Sequence, residues 1–153
     1  MSHYPVTMST RAVLASVSLV FLQAPAQAAA PAGRYTIGTD TVLDTATALV
    51  WQRAPAPATY AWAAAGTYCQ GLTLGGFAAG SWRLPAKLEL ETLVDDSVYN
   101  PAIDTMAFPN TPATFFWSSS PYISAGAAWV VYFYFGNSAF NGTSHSYSVR
   151  CVH

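Results

Sequence analysis

The pattern of hydrophobic and polar positions first predicts short β-strands. Between residues 31 and 53, brief runs rich in β-branched and aromatic residues are separated by turn residues. These runs predict strands at Arg34–Ile37, Thr41–Leu43 and Leu49–Trp51. The alternating Ala and Pro residues at 54–58 predict a stiff connector after the last of them.

Two helices are predicted in the middle of the chain. The first begins near Thr59 and ends near Gln70, because apolar residues recur there at spacings of three and four, as on one buried helix stripe. The recurring residues are Trp62, Ala65, Cys69 and Leu72. The second helix runs from about Ala86 to Asp95, and Glu89 stands where a capping box places its acid.

The last third predicts strands at Phe115–Trp117, Trp129–Phe135 and Tyr147–Val152. Side chains alternate between the two faces of a strand. The middle strand therefore has one face with Trp129, Val131, Phe133 and Phe135, and one with Val130, Tyr132 and Tyr134. A domain of this size is expected to leave one face open, so we assign the first face to the core and the second to the surface.

The composition of the same third is unusual. Only 8% of all residues are charged, against about 25% in ordinary soluble domains, and none lies between Thr105 and Val149. That stretch contains more than half of the aromatic residues. The formal net charge is -1, so no basic patch is available for a phosphate backbone, and nucleic acid is not expected as a partner.

The first 30 residues have the features of a secretory signal peptide. Arg11 precedes an apolar run from Ala12 to Leu22, which is too short to cross a bilayer but typical of a signal. Small residues favour cleavage near Ala28. We therefore expect residues 1–30 to be a signal peptide and residues 31–153 to form one exported domain, periplasmic, on the cell surface or extracellular, without a membrane span.

The chain has few residues that could form disulfides or bind a metal ion. Cys69 and Cys151 are the only cysteines, and a lone pair in an oxidising compartment usually forms a disulfide. The histidines His145 and His153 have no zinc-type spacing. No metal and no cofactor are expected. Calcium ligation by the aspartates is the alternative, but capping and loop hydrogen bonds are the expected roles of Asp95, Asp96 and Asp104.

Ten sequence pieces, in order, resemble the C-terminal domain family of the Legionella collagen-like adhesin. The pieces are Thr41–Arg53, Tyr60–Trp62, Tyr68–Leu72, Ser81–Pro85, Glu89–Asp95, Pro101–Asp104, Phe108–Thr111, Phe116–Ser120, Ala128–Trp129 and Val149–Val152. The resemblance implies an α+β, C-type lectin-like fold with two helices flanking a small, mainly antiparallel sheet. It also implies a cystine between the first helix and the final strand, the places of Cys69 and Cys151. The chain departs from the family at Ala86, where a capping Thr or Ser is usual.

Binding is expected rather than catalysis. No Ser–His–Asp set or carboxylate pair has a distinctive catalytic spacing, so we do not expect an enzyme. Formylglycine-generating enzymes share the fold superfamily, but their chemistry needs reactive cysteines, and both cysteines here are expected to be structural. That class is a distant alternative.

The expected function is that of an exported ligand-binding or adhesion module. Exposed tyrosine clusters are enriched at binding surfaces, and an uncharged aromatic surface suits a glycan or a protein. The candidate residues are Val130, Tyr132, Tyr134, Asn137, Phe140, Asn141, His145 and Tyr147. The alternatives are that both strand faces are buried, or that the surface is an oligomer contact.

A second resemblance is to the variable proteins of diversity-generating retroelements, which combine a lectin-like fold with adenine-directed substitution in the last strands. Residues 130–148 contain no Lys, Glu, Gln, Met or Trp, the residues that codons ending in a pyrimidine cannot encode. The fixed frame of those proteins resembles Ala128–Trp129, Phe133–Gly136 and Val149–Val152. Chance absence from a charge-poor, Ser-rich hairpin is the alternative explanation.

Overall fold

The computed structural model describes residues 30–153. The predicted signal peptide falls on residues 1–30 and so lies, except for its last residue, outside the described residues. Within residues 30–153, no helix has both the length and the apolar character needed to cross a membrane.

The described chain begins with a three-stranded antiparallel sheet close to where strands were predicted. Its strands β1 (Tyr35–Ile37), β2 (Thr41–Asp44) and β3 (Leu49–Gln52) are adjacent in that order. Arg34 forms an ion pair with the buried Asp44 at 2.9 Å. Burial alone would raise the pKa of the Asp44 carboxyl, but hydrogen bonds, above all from Arg34, lower it overall. This N-terminal sheet is therefore held partly by charge.

Helix α1 (Trp62–Gly71) lies within the predicted region. It buries Ala65 and Cys69, two members of the predicted apolar stripe, while Trp62 and Leu72 are half-buried. The periodicity of three and four thus identified the helix face that meets the core.

Helix α2 (Lys87–Glu91) is shorter than predicted. The chain leaves the helix after Glu91, and Val94 pairs with Ile103 in an isolated β-bridge. At its start, Glu89 accepts a hydrogen bond from the Ala86 N–H at 2.7 Å, as a capping-box acid does. Ser120 accepts from the Lys87 N–H at 3.0 Å, so a hydroxyl from elsewhere in the chain satisfies one of the free N–H donors at the start of the helix.

The second sheet is also three-stranded and antiparallel. Its strands are β4 (Phe115–Pro121), β5 (Ala127–Tyr132) and β6 (Asn137–Gly142), in that order. Strand β6 was not predicted, because its Asn, Ser and Gly residues have low β-propensity. Gly136 precedes β6 with φ of 82°, and a Cβ there would lie 2.6 Å from a Val94 methyl carbon, so only glycine fits this turn.

This C-terminal sheet is buried on both faces, and the expectation of one open face is wrong. On one face, Phe116 and Val131 join a core cluster with Trp51 of the N-terminal sheet. On the other, Trp117 and Val130 join a second cluster. Small as the domain is, α2 and the N-terminal sheet cover one face, while α1 and the C-terminal segment cover the other.

The C-terminal segment links the two sheets instead of forming the predicted strand. Between Tyr147 and Val152 it makes isolated bridges to Tyr60, Phe116, Trp51 and Arg83. The predicted disulfide is confirmed, since Cys69 in α1 bonds to Cys151 in this segment with an S–S distance of 2.05 Å. The α+β class is also confirmed, with two small sheets rather than one.

Arg150 is structural. It is fully buried and donates to the carbonyl oxygens of Gln52 and Arg53 and to the Thr111 hydroxyl. Its guanidinium lies 4.7 Å from the centre of the Phe108 ring. Burial lowers the pKa of Arg150 to about 9, so the side chain keeps its charge at neutral pH.

Candidate functional site

The turn after β5 is fixed against an earlier loop. The Asn100 N–H donates to the Tyr134 carbonyl at 2.9 Å, and the Ala102 N–H donates to the Phe133 carbonyl at 2.6 Å. Phe133 is buried in the core, whereas the Phe135 side chain is 63% exposed. The turn is therefore held by backbone hydrogen bonds and one buried ring, while its neighbouring rings reach the surface.

The rings at this turn contact one another across the surface. Tyr134 stacks on Tyr132 with ring centres 5.9 Å apart and meets Phe135 edge-on at 4.5 Å. Tyr99, which is 71% exposed, approaches Tyr134 at 6.4 Å. These contacts form the first half of a continuous surface feature.

The second half begins at the pairing of β4 with β5. Tyr132 lies opposite Phe115 and stacks on it at 4.3 Å. Phe115 contacts Tyr147 at 5.2 Å, and Tyr147 is nearly parallel to His145 at 6.0 Å. We name the whole set the aromatic row; its members are Tyr99, Phe115, Tyr132, Tyr134, Phe135, His145 and Tyr147.

The chemistry of the aromatic row is that of a contact surface. Stacked and edge-on ring pairs fix one another in position. Tyrosine offers a large apolar face and a hydroxyl with little rotamer entropy to lose on binding. No member of the row is an Asp, Glu, Lys or Arg residue. The row can supply apolar area and hydrogen bonds but no charge complementarity.

Five of the eight predicted site residues lie at or beside this row. Tyr132, Tyr134, His145 and Tyr147 are members of it, and the exposed Asn137 pairs with Tyr132 across β5 and β6. The remaining three are separated from it.

Val130 was assigned to the surface wrongly, and Phe140 does not share a face of the sheet with Tyr132. Val130 is fully buried because α1 covers its face of the sheet. Phe140 lies opposite Trp129 and stacks on Tyr122 at 3.8 Å, so it belongs to the other face. Asn141, opposite Ala128, is half-buried further along β6.

The assignment of the opposite strand face to the core was also only partly right. Val131 and Phe133 are fully buried as expected, but Phe135 is exposed. Trp129 is half-buried, where it meets Tyr122 at 5.2 Å. The strand ends at Tyr132 and the chain turns, so simple alternation fails beyond that point.

Sequence reasoning missed Tyr99 and Phe115 as surface members. Tyr99 comes from a Pro-rich loop whose contact with the turn is not encoded in any local pattern. The position of Phe115 could have been predicted from the sequence. Adjacent residues of a strand point to opposite faces, so either Phe115 or Phe116 must face away from a given core layer.

The aspartates have structural partners. Asp104 accepts hydrogen bonds from the Met106 and Ala107 N–H groups at 2.8 and 3.0 Å. Asp95 accepts from the Ser97 N–H at 2.9 Å. These are the loop-capping roles expected for both. In the part of the chain that the structure describes, no group of three or more His, Cys, Asp and Glu side chains is placed to hold a metal ion.

A comparison with family models matches residues 40–153 to the model described as the Lcl C-terminal domain. The matched range contains both helices, the whole C-terminal sheet, the disulfide and the entire aromatic row; of the strands and helices described above, β1 lies outside it. No curated protein matches the chain.

Proposed function

The chain belongs to the Lcl C-terminal domain family, and on that premise we propose that it is an exported binding module that holds a glycan or protein ligand on its aromatic row. The observation that carries this proposal is the continuity of the row, whose rings follow one another at 4.3 to 6.4 Å from Tyr99 to His145. A contiguous exposed apolar surface with polar atoms at its edge is typical of an interaction site.

The residues around the row favour a protein surface as the ligand. Tyrosine, serine, glycine and asparagine dominate the loops with which antibodies recognise proteins. Asn137 pairs with Tyr132 across β5 and β6, and the Gly142–Ser146 stretch, which includes the row member His145, has Gly and Ser residues as well. A neutral glycan is the second ligand class that such a surface accommodates, since sugar rings also stack on aromatic faces.

The disulfide supports export. Disulfides form and persist in oxidising compartments and are rare in the cytosol. Cys69 and Cys151 are both fully buried, and the described residues contain no free cysteine. The same observation favours binding over formylglycine-type catalysis, because that chemistry requires a reactive thiol.

The proposal is tested by binding of the purified exported protein to a panel of fixed bacterial and epithelial cells. Replacement of Tyr132 and Tyr134 by Ser should reduce binding at least tenfold. Phe140→Ser is the matched control, because Phe140 is 51% exposed but lies on the other face, and it should bind as the unmodified protein does. Equal loss in both variants, or loss only in Phe140→Ser, would contradict the proposal.

The same assay separates the two ligand classes. Protease treatment of the cells should abolish binding to a protein ligand and leave binding to a polysaccharide. Periodate oxidation, which destroys sugar rings, should have the opposite effect.

A retroelement-diversified receptor is the second candidate function. Its support is the division of residues 130–148 into buried positions such as Val130, Val131 and Phe133 and solvent-reaching positions such as Tyr132, Asn137 and His145, which is the division that tolerates variation. Sequencing the locus in related isolates tests it. Substitutions confined to the solvent-reaching positions, beside a reverse transcriptase gene and a near-copy of the 3′ coding end, would support it, and an invariant stretch without them would exclude it.

A further inference from the structure

A pocket beside helix α1 shares no residue with the aromatic row. Its volume is about 360 Å³, at the lower end of the range of about 300–1,000 Å³ that small-molecule sites occupy. It is lined by Trp62, Ala63, Gly66, Gln70, Arg83, Leu84 and Ser119. Helix α1 supplies one side, and the segment before α2 together with β4 supplies the other.

The helix side of the pocket is one ridge of α1. Trp62, Gly66 and Gln70 are four residues apart and therefore lie above one another on the same helix face. The ridge thus places an indole ring and a carboxamide one turn to either side of a glycine.

Gly66 opens a notch in that ridge. A Cβ at this position would meet no atom within 4 Å, so packing of the described protein does not require glycine here. Glycine destabilises a helix interior relative to alanine. The open space between Trp62 and Gln70 is therefore what this residue provides.

The apolar wall of the pocket has a fixed orientation before any ligand binds. The Trp62 Nε1–H donates to the Ser118 carbonyl oxygen at 2.8 Å, which sets the orientation of the half-buried indole. Leu84, only 6% exposed, supports the opposite wall. A ligand would meet a rigid aromatic face without ordering it first.

The polar groups at the pocket are neutral on balance. The Arg83 guanidinium makes two hydrogen bonds to the Glu89 carboxylate at 2.7 and 2.6 Å, so its charge is already paired. The Gln70 and Ser119 side chains are solvent-exposed, and neither hydrogen-bonds to another residue of the described chain. They can donate and accept without giving up an internal partner.

We propose that this pocket binds a single neutral pyranose ring. The apolar face of the sugar lies on the Trp62 indole and enters the notch over Gly66, and its hydroxyl groups bond to Gln70 and Ser119. The proposal is independent of the function assigned to the aromatic row.

The test uses methyl glycosides of glucose, galactose, mannose and N-acetylglucosamine, titrated into the ¹⁵N-labelled exported protein to tens of millimolar. At least one should shift the Trp62 indole N–H resonance saturably. Gly66→Leu fills the notch with a better helix former, so it should weaken that binding at least tenfold without lowering the melting temperature. Ala64→Leu is the matched control, because Ala64 is exposed on the other flank of α1, and it should bind normally.

Two further variants locate the polar contacts. Gln70→Ala and Ser119→Ala should each weaken binding about three- to tenfold with an unchanged melting temperature. No saturable shift with any glycoside, or undiminished binding by Gly66→Leu, would overturn the proposal. Loss of glycoside binding in the Tyr132→Ser and Tyr134→Ser double variant, with Gly66→Leu unaffected, would place the sugar on the aromatic row and equally overturn it.

Discussion

In the N-terminal sheet, a buried carboxylate at Asp44 pairs with Arg34 at 2.9 Å, whereas the C-terminal sheet from Phe115 to Gly142 contains no charged residue. The N-terminal sheet is held partly by this ion pair and has few buried side chains. The C-terminal sheet has a core cluster on each face. Packing on both faces holds the second sheet, and its uncovered end is aromatic.

This difference indicates where a ligand can bind. In the middle region, Arg83 is paired with Glu89 and Lys87 with Glu91. Surface ion pairs of this kind contribute little net stability, and the charge of each residue is balanced by its partner. The aromatic row is a part of the surface where partly exposed rings are connected, from Tyr99 to His145.

The largest effect should come from the disulfide that holds α1 over one face of the C-terminal sheet. Replacing Cys69 and Cys151 by Ser removes a loop closure between residues 82 apart, which the chain-entropy model values at up to about 4 to 5 kcal/mol. Urea unfolding followed by tryptophan fluorescence measures the loss. Chemically reduced protein should match the double variant, and an unchanged midpoint in both would show that the link does not stabilise this face.

Substitution of two tryptophans on adjacent strands compares a core position of the C-terminal sheet with a half-buried position. Trp117 is fully buried and donates its N–H to the Tyr60 carbonyl at 2.8 Å, so Trp117→Ala should cost about 3 to 5 kcal/mol. Trp129 is half-buried, so Trp129→Ala should cost only about 1 to 2 kcal/mol. Equal losses in urea unfolding would mean that both rings are core residues.

The aromatic row should contribute little to folding. Tyr132→Ser and Tyr134→Ser each remove ring contacts worth about 0.5 to 1.5 kcal/mol, and we expect a loss near the lower end because both rings are half-buried. Thermal unfolding of each single variant measures it. Collapse of the fold in either variant would identify that ring as part of the core and remove it from the binding surface.

The smallest effect should be acid weakening of the N-terminal sheet. Because the folded-state pKa of Asp44 is lowered, its stabilising contribution is present above the unfolded pKa of about 3.9 and is lost as pH falls below it. We expect less than about 1 kcal/mol, since Arg34 remains partly solvated.

Amide hydrogen exchange, corrected for the intrinsic exchange rates, can measure this effect separately in each of the two sheets. Protection of β1 and β2 should fall between pH 6 and pH 3 relative to β4 and β5, and Asp44→Asn should abolish the difference. A parallel loss in both sheets would show that acid acts on the whole domain instead.

Local patterns were sufficient for the parts of the fold that depend on local physics. The N-terminal strands and the buried stripe of α1 follow from β-propensity and from spacings of three and four. The pairing of Cys69 with Cys151 followed from their number and from the family resemblance. None of these predictions requires knowing which elements of the domain pack over which face of a sheet.

Which side chains of the C-terminal sheet are buried could not be predicted from local sequence patterns. Whether Val130 is buried depends on α1 and the C-terminal segment, which are far away in sequence. The separation of Phe140 from Tyr132 depends on the register that the Gly136 turn gives to β6. Tyr99 joins the row only because its loop binds the turn after β5 through backbone hydrogen bonds.

The most direct test of the central claim is hydroxyl-radical footprinting of the purified protein, free and in the presence of the cells of the binding panel, read by mass spectrometry. The account predicts that binding protects Tyr99, Tyr134 and Phe135 from oxidation and leaves Tyr122 and Phe140, on the opposite face, unchanged. Protection of Tyr122 and Phe140 with unaltered oxidation at Tyr134 and Phe135 would contradict it, because the ligand would then lie on the other face of the hairpin.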